Sequence, residues 1–446
     1  MVQPLKVSLI SEGVLPSTVG GVGRWLNYLI NEVKNTEFNL IAIGGPKEYR
    51  DKRIIHYENI PLRDSGGSRY ANPESLKLLL QLFIEDGENP LLCRKVQEYA
   101  DCPSVDSRIF WRVLTNFYKQ YFSDKPYLKF FLTVRSLISP LISILRIDRM
   151  VKCDLYHALN AGYAGFAGVV MKALTDKPLL VTIHGIYEDE REWELRFMKE
   201  EKWLKNLCLA FFRKICLAVY EEADLITTVN ESNKDRLVEL GASSSKIEVI
   251  QNPVNTELFK MAEDRESEEI VVGTVTRIVP MKGLKNLIQA AKYLIENLSN
   301  VRFIVVGPIQ DKEYFQECLK LADELRVSDR FMFVGQDDSA KWYPRFDIFV
   351  LPSLMERSPM AVLEAMASGL PVVCTETPGT REMVGEYWPL ASPGDAEKLA
   401  KCIYEIAVSL RESRKKALKI RDEIIKRHSL RRFAEKYSEV YIRLKR

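Results

Sequence analysis

The chain has 446 residues, of which 46% are hydrophobic and 28% are charged, and its formal net charge at pH 7 is +3. A chain of this length exceeds one ordinary hydrophobic core, so two domains of roughly 200 residues each are expected. The small net charge gives no electrostatic reason to expect nucleic acid as a partner.

The first residues, "MVQPLKVSLISEG", predict a strand rather than a signal peptide. Eight cysteines are scattered along the chain, and none belongs to a C-x-x-C pair. Their spacing indicates neither a zinc site nor a redox motif. Because it also shows no disulfide pattern, a reducing, cytoplasmic compartment is expected.

Short β-branched runs alternate with helical stretches such as Leu284–Leu298 and Glu313–Leu325. The predicted strands of the first series are Val7–Ile10, Asn39–Ile43, Leu155–Ala158, Leu179–Ile183, Leu225–Thr228 and Lys246–Ile250. Those of the second series are Ile270–Val275, Arg302–Val306, Phe331–Val334, Ile348–Leu351 and Pro371–Cys374. Two such series predict two doubly wound α/β domains with parallel sheets, residues 1–255 and 256–428, with the boundary near Asn252–Phe259.

A helical insertion is predicted at about residues 64–150 of the first domain. Its most apolar stretch, Tyr127–Asp148, is interrupted by Lys129, Arg135 and Pro140. It therefore falls short of the roughly 18 uninterrupted apolar residues of a membrane span. It predicts a packed pair of helices, and the alternative is an interfacial helix that touches a membrane or a membrane partner.

The basic tail after Glu412 predicts a pair of helices with an apolar seam of Phe433, Tyr437, Val440 and Tyr441. The alternative is a tail that contacts an acidic surface.

The segment "MERSPMAVLEAMASGLPVV" places two acids around a predicted helix start, at which Ser358 caps and Pro359 takes the first position. Glu356 precedes the helix and Glu364 lies about one and a half turns inside it. A helix N-terminus that follows a strand favours the binding of phosphate. The two carboxylates would repel phosphate, and they are instead suited to accept hydrogen bonds from the hydroxyls of a ribose and a hexose. The segment, including Met360, therefore predicts a nucleotide-sugar site. The alternative is two solvated surface acids.

A second loop, in "VGTVTRIVPMKGLKNLIQA", places Arg277 and Lys282 after a strand, with Gly283 opening the next helix. Two cations in such a loop can reach one diphosphate, the arginine in a bidentate manner and the lysine as a point charge. The alternative is an exposed basic pair without a ligand.

In the first domain, "SEGVLPSTVGGVGRWLNYLI" predicts a strand, a glycine-rich loop and a helix. Gly20 and Gly21 allow the backbone to approach an anion, and Gly23 lies near the helix start. The spacing is not G-x-G-x-x-G, so a nicotinamide cofactor is not indicated. His184 follows a buried strand and is a candidate ligand-binding residue, and His157 also ends a strand that could face the ligand.

Together these segments resemble the retaining glycosyltransferases of family 4, which have the GT-B fold of two Rossmann-like domains facing an inter-domain cleft. The matching segments are "GGVGRWL", "TRIVPMKGLKNLIQA" and the E-x7-E element "ERSPMAVLEAMASGLPVV". The first half is more similar still to the Pel-exopolysaccharide glycosyltransferases, PelF and its relatives, through "SEGVLPSTVGGVGRWLNYLI", "NAGYAGFAG" and "HGIYEDEREWELR".

The resemblance implies roles for these residues. Arg277 and Lys282 would hold the donor diphosphate, Glu364 the ribose, and Glu356 and His184 the donor sugar. Gly20 and Gly21 would approach the phosphate or the sugar from the first domain. The loops "VGPIQD" and "VGQDDS" would border the nucleobase, and a C-terminal helix, residues 429–446, would complete the first domain.

The resemblance also implies the chemistry. The donor would be UDP-glucose or a UDP-HexNAc, used without a metal or another cofactor, and the acceptor a glycan, polysaccharide or lipid. The expected partners are these substrates and not nucleic acid, and the stretch Tyr127–Asp148 leaves a peripheral membrane or membrane-complex association open as an alternative. Two alternatives stay open: a UDP-sugar epimerase on a GT-B fold, and a non-catalytic subunit of a polysaccharide-assembly complex.

Overall fold

The computed structural model describes residues 3–18, 20–63, 72–86, 89–93, 96–147, 151–261 and 269–445. The contacts divide the chain into two compact units, each with its own hydrophobic core. Unit 1 comprises Met1–Ile250 and Ala434–Arg446, and unit 2 comprises Gln251–Phe433.

Unit 1 is built on a seven-stranded parallel sheet in the order β3-β2-β1-β4-β5-β6-β7. The strands are β1 (Leu5–Glu12), β2 (Thr36–Ile43), β3 (Ile54–Ile60), β4 (Leu155–Ala158), β5 (Leu179–Ile183), β6 (Leu225–Thr228) and β7 (Ile247–Val249). All were predicted except β3. Because β3 is a half-exposed edge strand that carries polar residues such as His56 and Glu58, it lacks the continuous apolar run of the central strands.

The helices of unit 1 cover the sheet. They are α1 (Gly21–Glu32), α2 (Pro73–Leu80), α3 (Pro90–Cys93), α4 (Arg108–Tyr121), α5 (Tyr127–Leu145), α6 (Tyr163–Thr175), α7 (Tyr187–Phe197), α8 (Lys202–Glu222) and α9 (Glu231–Glu239). Helices α2 to α5 fall within the predicted insertion. Parts of that insertion, residues 64–71, 87–88, 94–95 and 148–150, lie outside the described residues.

Helix α5 is one continuous helix that runs through Pro140, so the prediction of two packed helices was wrong. Buried neighbours such as Ile138 and Leu141 hold the helix on both sides of the proline. Among the described residues, α5 is the one helix long and apolar enough to cross a bilayer by length and composition, yet 56% of that stretch is buried within the protein.

Unit 2 is built on a six-stranded parallel sheet in the order β10-β9-β8-β11-β12-β13. The strands are β8 (Ile270–Val275), β9 (Val301–Val306), β10 (Phe331–Gly335), β11 (Ile348–Leu351), β12 (Val372–Thr375) and β13 (Leu390–Ala391). The helices are α10 (Leu284–Asn297), α11 (Lys312–Glu324), α12 (Met360–Ala367), α13 (Pro378–Val384), α14 (Ala396–Val408) and α15 (Leu410–Arg427). The sequence missed β13, which has only two residues and no apolar run.

The last helix, α16 (Leu430–Lys445), buries the predicted apolar seam of Phe433, Tyr437, Val440 and Tyr441, each at most 3% exposed. The Tyr441 hydroxyl lies 2.8 Å from His157 Nδ1 in strand β4 of unit 1. The prediction of an apolar seam is therefore confirmed.

Candidate functional site

The predicted phosphate and sugar residues of unit 2 lie where its strand order reverses, between the adjacent strands β8 and β11. Open α/β sheets bind ligands in the crevice outside the carboxyl ends of the strands at such a switch point. The loop after β8 carries Arg277 and Lys282, and the loop after β11 carries Glu356. Residues separated by more than 70 positions therefore meet at one edge of the sheet.

Lys282 and Glu356 form an ion pair, with the lysine Nζ 2.6 Å from the glutamate Oε1. The Ser353 hydroxyl donates to the same oxygen at 2.7 Å. The two side chains are only 15% and 9% exposed, so both charges are largely removed from solvent. The site thus holds a cation and an acid side by side at the point where a ligand is expected.

Gly283 makes the close approach of the two loops possible. It has a φ of +64°, and a Cβ there would overlap the carbonyl oxygen of Pro352. The Leu354 amide donates to the Met281 carbonyl at 2.8 Å and joins the same loops. A glycine is required at this position because any side chain would force the loop after β8 away from the loop after β11.

Arg277 is exposed, and its guanidinium donates to Gln310 Oε1 at 2.9 Å rather than joining the Lys282–Glu356 pair. Gln310 belongs to "VGPIQD", one of the two loops expected to border a nucleobase. The second loop, "VGQDDS", lies next to it, since the Gly307 amide donates to the Gly335 carbonyl at 2.8 Å. The structure therefore brings Arg277 and both loops to the same edge of unit 2.

The helix after Glu356 begins differently from the prediction. Helix α12 starts at Met360 with Pro359 as its N-cap and without a side-chain cap, so the prediction that Ser358 caps the helix was wrong. The Ser358 hydroxyl instead accepts a hydrogen bond from Asn252 Nδ2 at 3.0 Å. The first amides of α12 are consequently not satisfied by a serine side chain.

Glu364 lies in the second turn of α12 and is 3% exposed. The Tyr343 hydroxyl donates to Glu364 Oε2 at 2.8 Å and also contacts the Ala361 carbonyl at 3.1 Å. Since Glu356 is also largely buried, the alternative of two solvated surface acids does not hold. Sequence reasoning missed Tyr343 and Ser353, because no local spacing relates Tyr343 to an acid that lies 21 residues away.

In unit 1, the glycine loop and His184 come together. Gly20 is the N-cap of α1 with a φ of +137°, and Gly21 is the first residue of the helix. Trp25, one turn further on, packs edge-on against His184 with the ring centroids 4.5 Å apart. Val19, in the same loop, lies outside the described residues.

The His184 imidazole has a buried Nε2 without a hydrogen-bond partner. Burial lowers the pKa of His184 to about 4, so the ring is neutral at physiological pH. A buried ring nitrogen without a partner can bind a ligand hydroxyl with little desolvation cost, because the folded protein has already removed the nitrogen from water.

His157, the other histidine expected to face a ligand, is instead part of the core, and that prediction was wrong. It is fully buried, with Nδ1 2.8 Å from the Tyr441 hydroxyl and Nε2 2.7 Å from the Thr182 hydroxyl. Burial lowers the pKa of His157 to about 3. Both ring nitrogens are engaged, so the residue stabilises the contact between strand β4 and helix α16.

A further polar cluster lies at the switch point of unit 1, between β1 and β4. Glu12 ends β1, and it accepts hydrogen bonds from Tyr187 OH at 3.0 Å and Asn160 Nδ2 at 3.2 Å. Arg191 lies 5.1 Å from the centroid of the Tyr187 ring. Burial raises the pKa of Glu12. The sequence signal for this cluster is that Glu12 ends a strand while Asn160 and Tyr187 follow shortly after β4 and β5.

Two family models match separate parts of the chain. Residues 255–421 match the family "Glycosyl transferases group 1", and residues 5–61 and 89–245 match a domain of unknown function, DUF3492.

Curated relatives include the UDP-Gal:alpha-D-GlcNAc-diphosphoundecaprenol alpha-1,3-galactosyltransferase of Escherichia coli, 28% identical over 55% of this chain and 63% of its own length. Another is the capsular polysaccharide biosynthesis glycosyltransferase CapM of Staphylococcus aureus, 26% identical over 62% of this chain and 75% of its own length. The chain thus spans less than two thirds of the first relative and three quarters of the second.

Among solved structures, Anabaena Alr3699/HepE in complex with UDP and glucose aligns with a TM-score of 0.64 and 16% identity, covering 98% of both chains. Likeness at this level of identity concerns the fold alone. The chain has the GT-B fold, and its residues 255–421 are similar to the glycosyl transferases group 1 family.

Proposed function

We propose that the protein is a retaining glycosyltransferase that transfers a hexose from a nucleoside-diphosphate sugar to a glycan, polysaccharide or lipid acceptor. One observation carries this proposal: Lys282 and Glu356 form an ion pair at the switch point of unit 2, and the helix α12, which contains Glu364, begins directly after the loop that carries Glu356. A cation for a diphosphate and two buried acids for hydroxyls are the groups that a nucleotide sugar requires.

In this proposal Lys282 and Arg277 bind the donor diphosphate. The lysine ammonium has three donors, so it can bind a phosphate oxygen while it keeps or releases Glu356. Arg277 is exposed and is held by a neutral glutamine, so its guanidinium can turn to the diphosphate without breaking an ion pair. Both cations then stabilise the negative charge that develops on the leaving nucleotide.

The acids have separate roles. Glu356, beside Lys282, accepts a hydrogen bond from the donor sugar, and Glu364 accepts hydrogen bonds from the ribose. Ser358, Pro359 and Met360 form the loop and the first residue of α12, whose amides face the phosphate in this proposal.

Residues of unit 1 also have roles in this proposal. Gly20 and Gly21 approach the phosphate or the sugar through their backbone, and the neutral His184 ring binds a hydroxyl of the donor hexose. Glu12, with Asn160, is the candidate for holding an acceptor hydroxyl, because it ends β1 at the switch point and its carboxyl oxygens accept hydrogen bonds from Asn160 and Tyr187.

The reaction is proposed to proceed by attack of the acceptor hydroxyl on the anomeric carbon from the side of the leaving diphosphate, which takes the proton. It needs no metal, so EDTA is expected to leave the rate unchanged. UDP-glucose or a UDP-HexNAc is the proposed donor, and the names of the E. coli and S. aureus relatives support a UDP-sugar and a role in polysaccharide assembly. Similarity to PelF and a cytoplasmic location remain part of the proposal.

A panel of nucleotide sugars tests the function. Each sugar is scored by thermal shift and by release of the nucleoside diphosphate, with and without oligosaccharide acceptors and with Lys282→Ala as the control. The proposal expects UDP release that depends on acceptor and on Lys282. An epimerised nucleotide sugar without free UDP would identify an epimerase instead, and failure to bind any nucleotide sugar would indicate a non-catalytic subunit.

A further inference from the structure

Residues 352–359 form the loop that joins strand β11 to helix α12, and this donor loop carries Glu356. Two residues from outside the loop hold its second half. The Glu356 carbonyl accepts a hydrogen bond from the Gly379 amide at 3.3 Å. The Ser358 carbonyl and hydroxyl both accept from Asn252 Nδ2, at 3.3 Å and 3.0 Å. Because Ser358 stands directly before the N-cap of α12, Asn252 holds the donor loop where the helix begins.

The side chain of Asn252 is buried, at 4% exposure, and its orientation is fixed. A carbonyl oxygen can only accept a hydrogen bond, so the amide atom that faces the Ser358 carbonyl is the nitrogen. Displacement of Ser358 would leave that nitrogen buried without these acceptors, which carries a desolvation penalty. Helix α12 has no side-chain cap of its own, so the contact from Asn252 fixes the residue that leads into its first turn.

Asn252 is in turn fixed by the far end of unit 2. His428, which is 8% exposed, donates from Nδ1 to the Asn252 carbonyl across 2.8 Å. The Val254 amide donates to the His428 carbonyl at 2.9 Å, and Val254 pairs with Ser429 in a short parallel bridge. The start of unit 2 therefore lies against its end, and Asn252 connects both segments to the donor loop.

We propose that Asn252 is a positioning residue for the nucleotide-sugar donor. It acts through Ser358, and it keeps Glu356 and the first amides of α12 in the arrangement that binds the donor. A loop that is ordered before the ligand arrives spares the complex the entropy cost of ordering it, so the anchored loop binds more tightly. The inference rests on the proposed function and adds a residue that sequence spacing does not relate to the site.

Unit 1 contains a matched contact that serves as a control. Asn39 Nδ2 donates to the Ser8 hydroxyl at 3.2 Å, and the two residues are 5% and 0% exposed. They lie within the neighbouring strands β2 and β1, and neither belongs to the donor loop. Loss of either asparagine removes a buried asparagine–serine hydrogen bond, but only Asn252 holds residues assigned to the donor.

Calorimetry with UDP tests the inference on the whole chain, with thermal melting measured in parallel. Asn252→Ala should weaken UDP binding at least about fivefold, since a hydrogen bond of this kind is worth about that factor. Asn39→Ala should lower the melting temperature to a similar extent and bind UDP as the wild type does. A role in stability alone would leave the UDP affinity of the folded protein unchanged in both variants.

Ser358→Ala provides a milder variant, because it removes only the hydroxyl acceptor and leaves the Ser358 carbonyl in place. It should weaken UDP binding about threefold, and its control Ser8→Ala should not weaken it. The double variant Asn252→Ala/Ser358→Ala should bind UDP no more weakly than Asn252→Ala, because the asparagine acts through the serine. If Asn252→Ala does not fold, Ser358→Ala and Ser8→Ala still decide the question.

Three results would overturn the inference and leave the proposed function intact. They are wild-type UDP affinity in folded Asn252→Ala or in Ser358→Ala, an equal loss of affinity in Asn39→Ala, and additive losses in the double variant. Failure of the wild-type protein to bind UDP would instead overturn the inference together with the proposed UDP-sugar site.

Discussion

Replacing Lys282 by alanine is expected to lower both stability and activity, and the ion pair with Glu356 allows the two effects to be separated. The pair is largely buried, at 15% and 9% exposure with an N–O distance of 2.6 Å. Removal of one member of a buried pair costs about 3–5 kcal/mol, because the other charge is left without its partner. Since Lys282 keeps some exposure, we expect a loss of about 3 kcal/mol.

A loss of that size corresponds to a melting temperature roughly 6–12 °C lower for a unit of this length. The expected effect on turnover is at least about a hundredfold, or about 2.7 kcal/mol in the barrier. One charge-assisted hydrogen bond to the leaving diphosphate, worth about 1.5–3 kcal/mol, accounts for this effect.

The double variant Lys282→Met/Glu356→Gln distinguishes the two roles. It removes both charges and keeps an acceptor for the Ser353 hydroxyl, so most of the lost stability should return. Activity should stay at least about a hundredfold below the wild type, because no cation remains to bind the diphosphate. Stability is measured by thermal melting and activity by release of UDP. Recovery of transfer activity in the double variant would show that the pair is only structural.

Three further results are expected. Glu364→Gln should weaken nucleotide-sugar binding about tenfold, measured by calorimetry. Tyr343→Phe removes only the hydroxyl that donates to Glu364, so it should change the affinity far less. Equal losses of affinity in the two variants would contradict the role assigned to Glu364. His157→Phe should lower the free energy of unfolding, measured in urea, by about 1–3 kcal/mol. Turnover should stay unchanged, because the His157 ring forms hydrogen bonds only within the core of unit 1. A loss of turnover without a loss of stability would refute this structural role. Burial raises the pKa of Glu188 to about 7, so the folded protein loses stability as the pH rises from the unfolded carboxyl value near 4.5 through 7. Glu188→Gln should therefore be more stable than the wild type at pH 8 and similar to it at pH 5. An equal difference in stability between the variant and the wild type at both pH values would exclude this cause.

The strands and helices of both units could be predicted from the sequence because their signal is local. Strands buried on both faces, such as Ile348–Leu351, are continuous apolar runs, and the helices between them carry one apolar face. The same reasoning missed Ile54–Ile60, since an edge strand with polar, half-exposed residues has no such run. It also predicted that the helix starts at Pro359 with Ser358 as its cap, whereas α12 starts at Met360. The reason is that the Ser358 hydroxyl accepts a hydrogen bond from Asn252, more than 100 positions away.

The sequence by itself determined the two parallel α/β units and the order of the motifs along them, since residue spacing and the alternation of apolar runs fix both. Only the tertiary structure decided which side chains meet: Lys282 with Glu356, Glu364 with Tyr343, and His157 with Tyr441. The physical reason is that parallel strands separated in sequence end at the same edge of a sheet, so partners are set by strand order and burial, which no local pattern encodes.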